Sequence, residues 1–99
     1  MPFLNVSGRP FKAAAIRRDA PACSGVYGLS NAREWIYVGE TDNIQGRLLE
    51  LLERGGSLPG GTPPTGFNFE PCSAHERVGR QRQLILELEP AGNRQERRG

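Results

Sequence analysis

Two runs, Ser24 to Ser30 and Trp35 to Gly39, are rich in aromatic and β-branched residues, and the segment Asn31 to Glu34 between them has turn chemistry. The pair predicts an antiparallel hairpin. Trp35, Ile36, Tyr37 and Val38 are apolar at consecutive positions, the pattern of a central strand covered on both faces. Gly25, Gly28 and Gly39 interrupt the hairpin, where a missing side chain permits a bulge or the close approach of another backbone. A helix follows, with Thr41 or Asp42 as N-cap and one apolar stripe made by Ile44, Leu48, Leu51 and Leu52. Gly55 and Gly56 stop it, and the Gly- and Pro-rich residues 55–66 predict a mobile internal loop. Phe67 and Phe69 alternate with Asn68 and Glu70 as a short third strand, ended by Pro71. Ser73 and Glu76 have the spacing of a capping box for a second helix, which carries Val78, Leu84, Ile85 and Leu88 and ends before Pro90.

The outer segments are weaker. Residues 1–23 predict an N-terminal segment packed on the domain, with a strand near Phe3, Leu4 and Val6 and a short helix over Phe11 to Ile16. Residues 94–99 lack any apolar side chain and predict a disordered tail. The expected architecture is α+β, an α/β sandwich in which a small, mostly antiparallel three-stranded sheet is flanked by helices, with the functional domain over residues 24–93.

A chain of 99 residues has room for one core. Neither Ala13 to Ile16 nor Trp35 to Val38 approaches the roughly 20 residues of a membrane span, so no membrane association is expected. The N-terminus has no export pattern, which makes a cytoplasmic location the expectation. Cys23 and Cys72 match no zinc spacing and predict reduced thiols. A net charge of +2 permits a polyanionic partner without requiring one.

Gly25-Val26-Tyr27, then Tyr37-Val38-Gly39, then Arg47 on a helix, then Leu84-Ile85 followed by Pro90 and Asn93, resembles the GIY-YIG nuclease family over about Ser24 to Asn93. The resemblance implies hydrolysis of nucleic-acid phosphodiester bonds, DNA being the expected polymer, with one divalent metal, Mg²⁺ or Mn²⁺. It assigns Tyr27 and Tyr37 to water activation and phosphate positioning and Arg47 to the phosphate, with Asn93 in support. These roles suit the groups: a phenol relays a proton and a guanidinium holds two phosphate oxygens at once. Away from such a motif, buried strand tyrosines are ordinarily core residues with a hydrogen-bonded hydroxyl, and Arg47 would be a solvated arginine.

Two positions depart from the family. Leu51 stands where many members have a histidine, and Gln81 stands where the metal-binding glutamate belongs. A neutral amide supplies a dipole where Mg²⁺ needs formal negative charge. Helical spacing turns Gln81 toward the apolar stripe and Glu76 and Glu87 away from it, while Arg77 adds positive charge one turn earlier. The metal ligand is therefore unassigned, with Glu40 an unaligned candidate and Gln81 expected to hydrogen-bond Tyr27, Tyr37 or Arg47. His75 is expected to be an exposed flank of its helix. Arg47, Gln81 and Asn93 are the expected substrate-binding residues, and three readings stay open: a DNA endonuclease, impaired or active; a non-catalytic nucleic-acid-binding module, suggested by Gln81 and by the arginines at both ends of the chain; and a protein-interaction domain on a degenerate nuclease scaffold. Oligomeric state is not readable from the sequence.

Overall fold

The computed structural model describes residues 8–54 and 63–93. Their elements run β1 (Arg9–Pro10), α1 (Ala13–Asp19), β2 (Gly25–Ser30), β3 (Trp35–Thr41), α2 (Ile44–Glu53), β4 (Gly66–Pro71) and α3 (Ala74–Leu88). The strands form one antiparallel sheet in the order β1-β4-β2-β3. The α+β class holds, but the sheet has four strands where three were expected. The fourth, β1, is two residues long and includes a proline, too short to leave a period in the sequence. As an edge strand it tolerates that missing N–H. The strand expected near Phe3, Leu4 and Val6, the stop at Gly55 and Gly56, and the tail 94–99 lie outside the described residues.

The hairpin forms as its turn chemistry predicts. The Asn31 side-chain oxygen accepts hydrogen bonds from the Arg33 and Glu34 backbone N–H groups at 2.8 and 2.9 Å, an Asx-type turn. The expected loop over 55–66 is shorter at its far end, because the Thr65 N–H donates to the Ser30 carbonyl and its own carbonyl accepts from Phe11.

Alternation along β2 sends Tyr27 and Leu29 to one face and Val26 to the other. On the first face, Ile16 of α1 and Ile44, Leu48 and Leu51 of α2 pack against Tyr27, Leu29 and Phe67. Each such fully buried side chain contributes about 1.5–3 kcal/mol of hydrophobic stabilisation. Leu52, at the margin of the expected stripe, is only half-buried. On the second face, Leu84 of α3 meets Val26 and Val38.

Three expectations need correction. Among the described residues strand β3 is an edge strand, because α3 and the short helical segment 91–93, instead of another strand, lie along its outer side. Asn68 and Glu70 are both buried on the interior strand β4, Glu70 where Arg80 of α3 reaches it. Val78 is 49% exposed, and the sheet-facing places of α3 are shared by Arg77, Arg80 and Gln81, whose polar heads find partners on the strands. The capping box does not close: the Ser73 hydroxyl donates to the Glu76 carboxylate at 3.1 Å and caps no backbone N–H. His75, Glu76 and Glu87 are exposed as the helical spacing predicts. Among the described residues no helix is long and apolar enough to cross a membrane.

Candidate functional site

Tyr27 lies on β2 directly opposite Gly39 of β3. Its ring crosses the neighbouring strand where Gly39 has no side chain: a Cβ there would collide with the ring and hydroxyl of Tyr27. The glycine is thus the condition for the tyrosine's position. Gly25 does the same for the helix, since a Cβ on it would meet Ile44 at 2.6 Å and the Pro71 backbone at 2.9 Å. Tyr37 lies on the same face, its ring centroid 6.4 Å from that of Tyr27 and its plane tilted by 34°.

Arg47 enters from α2, held by the buried Ile44 and Leu48 on the same helical side. Its Nε donates to the Tyr27 hydroxyl at 3.4 Å, and its Nη1 forms an ion pair with the Glu50 carboxylate one turn later. The guanidinium is held above its ordinary pKa, first by the Tyr27 hydrogen bond and then by the charge of its neighbours, against an opposing effect of burial. The helix is capped by Asn43, whose side-chain oxygen accepts from the Gly46 N–H at 2.9 Å, and not by Thr41 or Asp42. Thr41 instead accepts from the Asn43 N–H through its hydroxyl, at 3.1 Å. Beside this cap lies an open hollow of about 260 Å³ lined by Thr41, Asp42, Asn43, Gly46, Arg47 and Glu50. A second hollow of about 330 Å³, along α3, is lined by Val78, Gln81, Arg82, Ile85 and Leu86 and holds neither the two tyrosines nor Arg47.

Gln81 and Asn93 meet at a backbone group. Buried Asn93 accepts from the Val38 N–H at 2.6 Å and donates to the Val38 carbonyl at 3.0 Å, and the Gln81 amide donates to that same carbonyl at 3.3 Å. The expected partners of Gln81 were Tyr27, Tyr37 or Arg47; its hydrogen bond goes instead to the residue between Tyr37 and Gly39. Asn93 reaches this point because Glu89 caps α3 in the left-handed conformation, φ 47° and ψ 57°, turning the chain back at Pro90. Together the two amides satisfy the exposed backbone of an edge strand.

The carboxylates nearest these residues are held by arginines. Arg77 pairs with Glu40 at 2.7 Å and donates to the Ser24 hydroxyl at 3.1 Å, which both balances the charge expected at Arg77 and engages the candidate ligand Glu40. Arg80 grips Glu70 with two bonds, 2.7 and 2.9 Å, and this pair, foremost its hydrogen bond, raises the Arg80 pKa.

With this geometry in place, the chain can be set beside known structures. It superposes on the GIY-YIG N-terminal endonuclease domain of UvrC from Thermotoga maritima bound to its catalytic divalent cation, magnesium, with a TM-score of 0.61 and 23% identity. The match covers 77% of this chain and 92% of that one. An asparagine point mutant of the same domain, also bound to its catalytic divalent cation, matches with a TM-score of 0.61 at 23% identity, over 77% of this chain and 91% of that one. No protein-family model and no curated protein matches the chain. The fold is therefore the GIY-YIG fold, as the motif resemblance implied.

The residues present do not fit the cation those domains carry. Mg²⁺ and Mn²⁺ are held by hard oxygen ligands, usually with at least one carboxylate. Gln81 offers an amide whose N–H is turned to Val38, Glu40, Glu50 and Glu70 are each bonded to a guanidinium, and no three of His, Cys, Asp and Glu cluster among the described residues.

Sequence reasoning brought Tyr27, Tyr37 and Arg47 together and missed Glu50. The signal was present, since an acid three residues after an arginine on a helix is its surface neighbour. The Val38 backbone could not have been found in this way, because it has no residue-type signature.

Proposed function

We propose that this chain is a GIY-YIG family member that binds the phosphodiester backbone of nucleic acid, DNA being the expected polymer, without metal-dependent hydrolysis. The observation that carries this reading is Arg47 held against the Tyr27 hydroxyl, beside Tyr37 and at the edge of an open hollow. A guanidinium anchored there offers N–H groups in the planar fork that phosphate oxygens accept. The absence of hydrolysis is supported by the donor set around Gln81, which lacks a carboxylate free of arginine.

Fluorescence anisotropy with labelled single-stranded, duplex and branched DNA tests the proposal. Binding should weaken steeply as salt rises, and Arg47→Ala should reduce affinity about tenfold or more, the range of a lost charge-assisted contact. No binding at low salt by the wild type removes the reading. A second reading, a metal-dependent endonuclease, is favoured by the likeness to domains bound to a catalytic divalent cation. Nicking of DNA by the wild type with Mn²⁺, abolished in Arg47→Ala, would replace the first reading with the second.

A further inference from the structure

The hollow beside Arg47 is lined by one guanidinium and two carboxylates, Asp42 and Glu50. Before any ligand arrives, a pocket read as taking a polyanion therefore carries more negative than positive charge. The two acids are not equivalent. Glu50 reaches Arg47 directly, one helical turn away, whereas Asp42 lines the hollow without contact to the guanidinium. Arg47 is held on two sides: Nε lies on the Tyr27 hydroxyl, toward the sheet, and Nη1 lies on Glu50, toward the hollow. A phosphate that takes either two-pronged edge of the guanidinium uses Nη2 together with Nε or Nη1, the nitrogens that Tyr27 and Glu50 engage, and so competes with one of these contacts. The Tyr27 ring is buried at 2% exposure and cannot withdraw, while the Glu50 side chain is half exposed and can rotate into water.

We infer that Glu50 is an internal competitor for the phosphodiester: it occupies Arg47 in the free protein and is displaced when nucleic acid binds. This rests on the function proposed above and assigns that site a device that holds its affinity down. An exposed ion pair at this helical spacing is weak, so displacement is easy, and the contact restrains binding without preventing it. Once displaced, the freed carboxylate still faces the bound phosphate and weakens the complex further.

The test compares wild type, Glu50→Gln, Asp42→Asn and Arg47→Ala by anisotropy with one labelled DNA oligonucleotide over a range of salt concentrations. Glu50→Gln should bind about fivefold tighter than wild type at low salt, as loss of a surface ion-pair competitor allows. Its log–log salt dependence should steepen by about one counterion, since one more phosphate is neutralised without an opposing charge. Asp42→Asn removes the same charge from the hollow without touching Arg47 and should gain less. Wild-type binding that is lost in Arg47→Ala but not tightened in Glu50→Gln, or an equal gain in both acid variants, overturns the competitor and leaves the proposed function standing. Binding by none of the proteins at any salt removes the proposed function and the competitor with it.

Discussion

The two faces of the sheet use arginine in opposite ways. On the α2 face, Arg47 rests on a phenol hydroxyl and an exposed carboxylate, with its own side chain 35% exposed. On the α3 face, Arg80 is bonded twice to Glu70, and the two side chains are 20% and 11% exposed. Identical side chains therefore do different jobs because their partners differ in burial. A guanidinium paired in water exchanges its partner at little cost, whereas a pair withdrawn from water is locked, since each charge is costly without the other. The contrast separates a guanidinium that can exchange its partner from one that fastens a helix to the sheet.

That contrast is most directly broken at Arg80. Arg80→Ala leaves Glu70 in the interior without its cation and should destabilise the fold by about 3 kcal/mol, toward the lower end for buried pairs because both groups keep some solvent. Arg47→Ala should cost less than about 1 kcal/mol, as exposed pairs do. Urea unfolding of both variants measures the difference. Equal losses would mean that burial does not distinguish the two arginines. Asn93→Ala comes next, at about 2 kcal/mol: it removes both bonds to Val38, and the N–H is left without its amide partner while the carbonyl keeps Gln81. Hydrogen exchange at the Val38 amide should accelerate in that variant well beyond the change at Val26 on the interior strand.

How much of this was readable follows the same division. The α2 face was legible because its signals are local: the apolar spacing of Ile44, Leu48 and Leu51, a tyrosine in each hairpin strand, and Arg47 one residue from a buried leucine. The α3 face was legible only in part. Its partners are far apart in sequence, as with Arg77 and Glu40 or Asn93 and Val38, and no periodicity records which strand a helix will meet. The consecutive apolar residues of β3 imitate a central strand because a helix and two amides enclose it. The burial of Glu70 depends on Arg80 of α3, which the alternation along β4 does not record.

A further, small expected effect sharpens the comparison at the point where the faces adjoin. Gln81 bonds the Val38 carbonyl from α3, while Tyr37 and Gly39 on either side of Val38 belong to the other face. Gln81→Glu keeps the shape and removes the donor, setting a carboxylate toward a carbonyl oxygen. Since Asn93 still satisfies that carbonyl, the loss should be about 1 kcal/mol, or roughly 4–8 °C in melting temperature for a domain of this size. A divalent cation is attracted to paired oxygen donors, so Mn²⁺ should restore part of the loss in Gln81→Glu and leave the wild-type melting temperature unchanged. The opposite pattern, a wild type stabilised by Mn²⁺ and an indifferent variant, would place a cation site elsewhere and return hydrolysis to the leading reading. Because the readout is stability, the outcome is independent of whether either protein cleaves DNA.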